Sequence, residues 1–225
     1  MPKSILNSPD ATRRVAIWDR PTRLFHWLLV GLIALSWWSA EYEYDDLHIW
    51  FGIAVLSLLI FRMLWGFFGS STARFASFVK GPKAVLGYLQ GTWRGIGHNP
   101  LGALSVIALL GLTAIQVGLG LFASDEDGLV EGPLARLIGF DGQQRVTDLH
   151  EDLFNWLLAL IALHVAAIIF YRIKGKNLLN PMITGKGEVE PGIEPMKSGK
   201  WWSALLCLVL AIGITRWIIA GAPPF

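Results

Sequence analysis

The fold is decided by the stretch DLHEDLFNWLLALIALHVAAIIFYR, residues 148–172. Its apolar part, residues 153–171, comes close to the roughly 20 residues that a helix needs to cross a bilayer. His164 lies inside this part. An imidazole in a membrane span is costly and marks a proton path, an ion site or a cofactor. The stretch therefore predicts a membrane helix that carries a functional site.

Four more apolar stretches have the length of a membrane span or come close to it. They cover residues 24–40, 49–68, 101–123 and 201–220. The chain has 225 residues, of which 53% are hydrophobic and 16% charged, whereas a soluble domain carries about 25% charge. We therefore expect an all-α membrane protein with five spans and no large soluble domain.

The charge and the cysteine content exclude several classes of protein. A net charge of +2 is too balanced to favour a nucleic-acid partner. The single cysteine, Cys207, leaves no intrachain disulfide, no thiolate metal cluster and no C-x-x-C-H site for covalent haem attachment. Trp38 stands near the end of the first apolar run, where a signal peptidase needs a small residue. We therefore expect that run to be retained as a span.

The distribution of Lys and Arg predicts the orientation of the chain. Sixteen of the 19 lie in the first 23 residues, in the region from Arg62 to Arg94, or in residues 172–200. Positive side chains concentrate on the cytoplasmic side of a membrane, so we expect a cytoplasmic N-terminus and a periplasmic C-terminus. The acidic clusters at 41–46 and 125–127 then lie outside, either as plain solvated loops or as a contact for a basic soluble partner. A short helix at 83–93, opened by Pro82, is expected to lie along the inner membrane surface.

Four histidines fall at matched depths in these spans. His150 and His164 are 14 residues apart on one helix, about 21 Å along its axis and about 40° in azimuth. His26 lies near the inner start of the first span, at the depth of His164. His48 begins the second span at the outer depth of His150.

Two pairs at two depths, each drawn from different helices, match the needs of two bis-histidine haems stacked across a four-helix bundle. The alternatives are satisfied core histidines or a zinc site, and zinc needs three or four close ligands. The fifth histidine, His98, is expected to be an ordinary loop residue. Arg20 and Arg23 precede His26 and are either haem-propionate ligands or simple membrane anchors.

The chain also contains a set of motifs that are specific in combination. They are WDRPTRLFHW (18–27), His48 at the start of the second span, FRMLWGFFG (61–69), GHNPLG (97–102), the H-x13-H of the fourth span and NPMITG (180–185). Over roughly residues 15–187 the chain resembles the bacterial cytochrome b561 and Ni-Fe hydrogenase cytochrome b family.

This resemblance implies a four-helix electron carrier of the bacterial inner membrane with two haem b groups. By position, His26 and His164 correspond to the ligands of the cytoplasmic-side haem, and His48 and His150 to those of the periplasmic-side haem. The carrier would exchange electrons between the quinone pool and a redox partner, such as a periplasmic cytochrome c or a dehydrogenase or hydrogenase subunit.

The expected organisation has four parts. Residues 1–23 form a cytoplasmic tail, 24–172 the four-helix di-haem domain, 173–200 a cytoplasmic loop, and 201–225 a fifth transmembrane helix with a periplasmic end. The fifth helix lies beyond the resemblance, and its role is either to cap the bundle or to dock a partner subunit.

Two other functions compete with an electron carrier. A superoxide:quinone oxidoreductase would need a cationic funnel at the outer face to steer the anion, and the outer loops are acidic. A non-redox transporter or scaffold would have no visible absorption.

Overall fold

The computed structural model describes residues 13–221, and they form a helical bundle with a small sheet at one end. The elements in chain order are β1 (Arg13–Ala16), α1 (Arg20–Glu41), α2 (Asp45–Phe68), α3 (Phe75–Phe78), α4 (Pro82–Leu89), α5 (Pro100–Gly120), a 3-10 turn (Ala135–Leu137), α6 (Phe140–Ile173), α7 (Leu179–Thr184), β2 (Lys186–Val189) and α8 (Trp201–Ile219). In the described part of the chain, α1, α2, α5, α6 and α8 are long and apolar enough to cross a membrane. The expected all-α membrane class is confirmed.

The five spans pack as two hairpins with one helix added outside. Helix α1 packs on α2, α5 packs on α6, and α2 contacts α5 and joins the hairpins. Helix α8 packs on the outer side of α2. The backbone of α6 lies close to α5 but does not pack closely on α1 or α2. A gap therefore runs between α6 and the first hairpin.

Capping side chains set where two of the spans begin. Asp19 accepts a hydrogen bond from the Thr22 amide at 2.6 Å, and Asn99 accepts one from the Gly102 amide at 2.8 Å. Each cap is followed closely by a proline, whose fixed φ and missing N–H suit the first turn of a helix. Two of the sequence motifs are therefore helix-capping segments.

Three basic segments meet at one end of the bundle, here called the sheet end. Strand β1, from the N-terminal tail, pairs antiparallel with β2, with Arg14 opposite Glu188. The Thr72 hydroxyl donates to the Ile17 carbonyl at 2.7 Å, and the Lys197 amide donates to the Ser71 side chain at 2.9 Å. The grouping of the basic segments at one face of the bundle is therefore observed.

Glycine completes the sheet end. Gly185 ends α7 with φ 81°, a left-handed conformation that glycine adopts without steric cost. Its carbonyl accepts hydrogen bonds from the amides of Ile17 and Trp18. Residues 173–200, expected as a loop, therefore contain a short helix and a strand that hold the N-terminal segment in place.

Helix α6 is longer than expected. It begins at Phe140, whereas the sequence predicted a helix that starts near His150 and has its apolar part from residue 153. The extra turns are polar, and their side chains bond the preceding loop: Gln143 donates to the Ala135 carbonyl at 2.8 Å and Thr147 to the Ser124 carbonyl at 2.9 Å. Helix α6 therefore extends beyond its apolar segment.

Candidate functional site

A cavity of about 700 Å³ opens between α1, α2, α5 and α6 at the end opposite the sheet, here called the acidic end. Its volume is in the range typical of small-molecule and cofactor sites, about 300–1,000 Å³. Its walls include Ile33, Ile49 and Leu158, and His48 and His150 face each other inside it. The cavity is therefore mostly apolar and contains two convergent imidazoles.

The distance between these imidazoles suits one metal ion between them. The ring centroids of His48 and His150 are 6.0 Å apart, and the ring planes are nearly perpendicular, at 87°. A metal–nitrogen bond of about 2 Å puts a ring centroid about 3 Å from the metal, so two axial imidazoles have centroids about 6 Å apart. His48 and His150 are therefore spaced so that they could hold one haem iron between them.

Hydrogen bonds fix which ring nitrogen of each histidine is free. Nδ1 of His48 lies 2.9 Å from the Ser36 carbonyl oxygen, and Nδ1 of His150 lies 2.9 Å from the Gln116 carbonyl oxygen. Because a carbonyl only accepts, each Nδ1 carries the proton and donates it. Each Nε2 keeps its lone pair for a metal, which is the usual arrangement of a metal-ligating histidine.

The packing around His150 leaves room only for the ring. A Cβ atom at Gly120 would lie 2.9 Å from Cε1 of His150, closer than real contacts allow. The Gln116 amide also donates to the His150 carbonyl at 2.8 Å. By contrast, a Cβ at Gly52, one turn after His48 in the cavity wall, would meet nothing within 4 Å. The cavity is therefore tightly packed beside His150 and open beside Gly52. The open side has room for a flat ring system.

The second predicted pair, His26 of α1 and His164 of α6, lies at the sheet end. Nδ1 of His164 lies 3.5 Å from the Ser105 hydroxyl oxygen, and Nδ1 of His26 is buried with no hydrogen-bond partner among the described residues. The four predicted histidines are therefore divided between the two ends: His48 and His150 face each other at the acidic end, and His26 and His164 lie at the sheet end.

His98 is more than an ordinary loop residue. Its ring lies between Trp18 and Phe78, with centroid distances of 4.5 and 4.7 Å. Burial, reinforced by the charge of Arg62, lowers the pKa of His98 to about 3, so the ring is neutral. The charges of the two sheet-end histidines act on it as well. One sequence signal could have indicated a fixed position for His98. It directly precedes Asn99, whose side chain caps α5 and so fixes the turn at the start of that helix.

The two predicted arginines lie at the sheet end but are not buried. Arg20 is exposed, and Arg23 is half-buried and donates to the Ile183 carbonyl of α7. Arg62 of α2, predicted from the sequence only as one of the basic residues near the cytoplasmic face, is buried, with 3% of its surface exposed. Its position 14 residues after His48 was the available signal, because that spacing returns to nearly the same face of a helix.

The rim of the acidic-end cavity carries only negative charge. Glu41, Asp45, Asp125 and Glu151 line it, and no Lys or Arg is among its described lining residues. Such a rim repels a small anion and attracts a basic surface. It is the opposite of the funnel that a superoxide-oxidising site would need.

No larger metal cluster competes with the two pairs. Across residues 13–221, no group of three or more His, Cys, Asp or Glu side chains comes together in a way that could hold a metal ion. A haem iron takes its four equatorial ligands from the porphyrin and needs only two axial ligands from the protein. The donor sets at both ends therefore suit haem better than a bare ion.

The chain was compared with known proteins and protein families. The model of the family described as prokaryotic cytochrome b561 matches residues 17–185, which include all four paired histidines and end before α8. Neither a curated protein nor a solved structure matches the chain. The family resemblance predicted from the motifs is thereby confirmed.

Proposed function

Because the chain belongs to the prokaryotic cytochrome b561 family, it is a multi-pass membrane protein that transfers electrons through b-type haem, and we propose that it holds two haems, one at each end of the bundle. His48 and His150 bind the haem at the acidic end. His26 and His164 bind the haem at the sheet end. The observation that carries this proposal is the 6.0 Å separation of the first pair inside a cofactor-sized cavity.

A bound b-type haem supplies an iron that accepts and releases one electron. The carbonyls of Ser36 and Gln116 hold the imidazoles of His48 and His150 in one tautomer, which leaves each Nε2 able to bind the iron of a haem. A histidine whose Nδ1–H donates a hydrogen bond is a more basic ligand through Nε2. The apolar walls of the cavity exclude water and lower the local dielectric constant, which is a second influence on the iron potential.

The two ends differ in the partners that they favour. The sheet end carries the basic segments, so we place it and the N-terminus in the cytoplasm and the acidic end in the periplasm of the bacterial inner membrane. Quinone or quinol in the lipid is the proposed electron donor or acceptor in the membrane. The acidic rim favours a basic soluble redox protein, such as a periplasmic cytochrome c, at the other end.

Single-histidine variants test the ligand assignment. His150→Ala and His164→Ala should each lower the haem content from two per chain to one, because each variant removes one axial ligand of one pair. Pyridine haemochrome assay of the purified chain gives the count, and the reduced spectrum shows which haem remains. His98→Phe is the matched control, since a phenyl ring fits between Trp18 and Phe78, and it should keep both haems.

The opposite haem counts in the two sheet-end variants would contradict the proposed pairing. If His164→Ala kept two haems while His98→Phe kept one, His98 would be the ligand and the proposed pair would be wrong.

A further inference from the structure

Buried polar atoms without a hydrogen-bond partner are concentrated at the sheet end. The described residues contain seven such side-chain atoms, and only Gln116 Oε1 lies at the acidic end. The other six are Thr22 Oγ1, Arg23 Nε, His26 Nδ1, Arg62 Nη1, Ser70 Oγ and His98 Nδ1. Buried polar groups are normally hydrogen-bonded, so this group of atoms indicates that polar partners from outside the described residues belong at the sheet end.

Arg62 is the charged member of this group that is almost fully buried. Its side chain is 3% exposed, Nη2 donates to the Ala73 carbonyl at 3.1 Å, and the guanidinium lies 4.8 Å from the centre of the Phe75 ring. Nη1 has no hydrogen-bond partner among the described residues. A buried cation is costly unless an anion pairs with it, and no ion pair with Arg62 occurs in residues 13–221.

The acidic residue that acts on Arg62 is already engaged. The charge of Asp19 reaches the guanidinium, but Oδ1 of Asp19 accepts from the Thr22 amide at 2.6 Å and Oδ2 accepts from Trp65 Nε1 at 3.2 Å. Asp19 therefore serves to cap α1 and to hold Trp65. Asp19 keeps its negative charge and acts on Arg62, but it makes no hydrogen bond to the guanidinium, so Nη1 is left without a partner among the described residues.

Helix geometry places Arg62 toward the sheet end of α2, on nearly the same face of that helix as His48. It follows His48 on α2 by 14 residues, which is about 21 Å along the axis and about 40° in azimuth. The same spacing separates His150 from His164 on α6. His48 faces the gap between α2 and α6 at the acidic end, so Arg62 faces nearly the same way at the sheet end.

We propose that Arg62 binds a propionate carboxylate of the haem at the sheet end. The guanidinium fork matches a carboxylate in geometry and charge, and its planar group keeps its charge when buried. Arg23 is less suited because it is only half-buried, and Arg20 is exposed, so water can solvate their charges, whereas Arg62 is almost fully buried. This inference rests on the proposed function, since it needs a haem between His26 and His164.

The test uses the full-length holoprotein with haem labelled with ¹³C at the propionate carboxylates. Redox-induced infrared difference spectra report the labelled carboxylate bands alone. Arg62→Gln should shift one labelled band and lower the midpoint potential of the sheet-end haem, because loss of a nearby positive charge disfavours the reduced state. Arg62→Lys keeps the charge without the fork and should restore the potential in part, with the band still displaced.

Two other arginines serve as comparisons. Arg172→Gln removes an exposed positive charge at the end of α6 and should leave the labelled bands unchanged. Arg23→Gln tests the competing assignment. Labelled bands that stay fixed in Arg62→Gln would overturn the inference, whether Arg62 then pairs with a lipid phosphate or with no anion. Bands that shift only in Arg23→Gln would overturn it as well.

The outcomes separate this inference from the proposed function. A haem count of two in the wild type and one in His164→Ala tests the function, and neither number depends on Arg62. If Arg62→Gln fails to retain either haem, the Arg62→Lys spectrum decides: a displaced labelled band supports the inference and an unchanged one overturns it.

Discussion

At the scale of single residues, the acidic-end histidines are positioned by main-chain groups. The carbonyls of Ser36 and Gln116 each accept from an Nδ1–H, so both Nε2 atoms are free. Gly120 completes the arrangement on α5 by its lack of a side chain, since a Cβ there would lie 2.9 Å from the His150 ring. An added Cβ at Gly120 would therefore force the His150 ring to shift.

Replacing Gly120 with alanine should displace the His150 ring and weaken haem binding at the acidic end. Overpacking costs about 1–3 kcal/mol, which corresponds to roughly 5–150-fold weaker binding. The measurement is haem retention at the acidic end during dilution into apomyoglobin as a haem acceptor. Gly118→Ala is the control, because a Cβ there meets nothing within 4 Å. Equal haem loss from both variants would rule out the contact as the cause.

The four paired histidines were predictable from the sequence because helix geometry converts spacing into depth and face. Arg62 obeys the same arithmetic, being 14 residues from His48, but the sequence analysis counted it only as part of the basic region expected on the cytoplasmic side. His98 was missed because its burial depends on Trp18 and Phe78, which lie 80 and 20 residues away in the chain. Contacts between such distant segments have no periodic signature in the sequence.

At the scale of elements, α8 is held against α2 by a strip of small buried residues. Cys207, Ala211 and Thr215 follow one another at intervals of four on one face of α8. The Ser57 hydroxyl of α2 donates to the Thr215 hydroxyl oxygen at 3.0 Å. In a membrane, small residues and hydroxyl hydrogen bonds let helices approach closely. Helix α8 therefore covers the outer side of α2 and contributes none of the four paired histidines.

A leucine at Ala211 should separate α8 from α2. Ala211 is fully buried, so the added volume must displace a neighbouring helix, at a cost of about 1–3 kcal/mol. Both haems should remain, because all four ligands lie in other helices, and the midpoint of thermal unfolding should fall. Gly213→Leu adds similar bulk on an exposed face of α8 where a Cβ meets nothing within 4 Å.

The outcome of that comparison also tests the role of α8. Loss of a haem in Ala211→Leu, with none lost in Gly213→Leu, would contradict the view that α8 only packs on the outside of the bundle.

The spans were predicted to within a few residues because apolar length decides them, with α6 as the exception. Residues 140–152 are polar and lack the apolar pattern of a span, and their helix is held by hydrogen bonds from Gln143 and Thr147 to the loop before it. The pairing of β1 with β2 was also missed. Four-residue strands that lie far apart in the sequence carry no signal of their partner.

At the scale of the whole molecule, charge is divided between the two ends. The basic segments are held together at the sheet end by β1, β2 and the contacts of residues 71 and 72. The acidic residues line the cavity mouth at the other end. This division supports the proposed orientation and gives the acidic end a field that attracts a basic partner.

Neutralising the rim should slow electron exchange with a basic cytochrome c. In Asp45→Asn/Glu151→Gln, the second-order rate constant at low salt should fall by about tenfold, within the range of electrostatic steering, and its dependence on ionic strength should weaken. Stopped-flow mixing of the reduced protein with oxidised cytochrome c measures it. Glu188→Gln/Glu194→Gln removes two exposed carboxylates from the sheet end and should leave the rate unchanged. A rate lowered equally by both double variants would argue against docking at the rim.

The central claim is that one chain holds two b-type haems, one at each end of the bundle. The most direct measurement is a dithionite-reduced minus oxidised visible spectrum of the purified wild-type protein, with the haem counted by pyridine haemochrome against the protein concentration. We predict two b haems per chain with sharp low-spin α bands. One haem per chain, or none, would contradict the account.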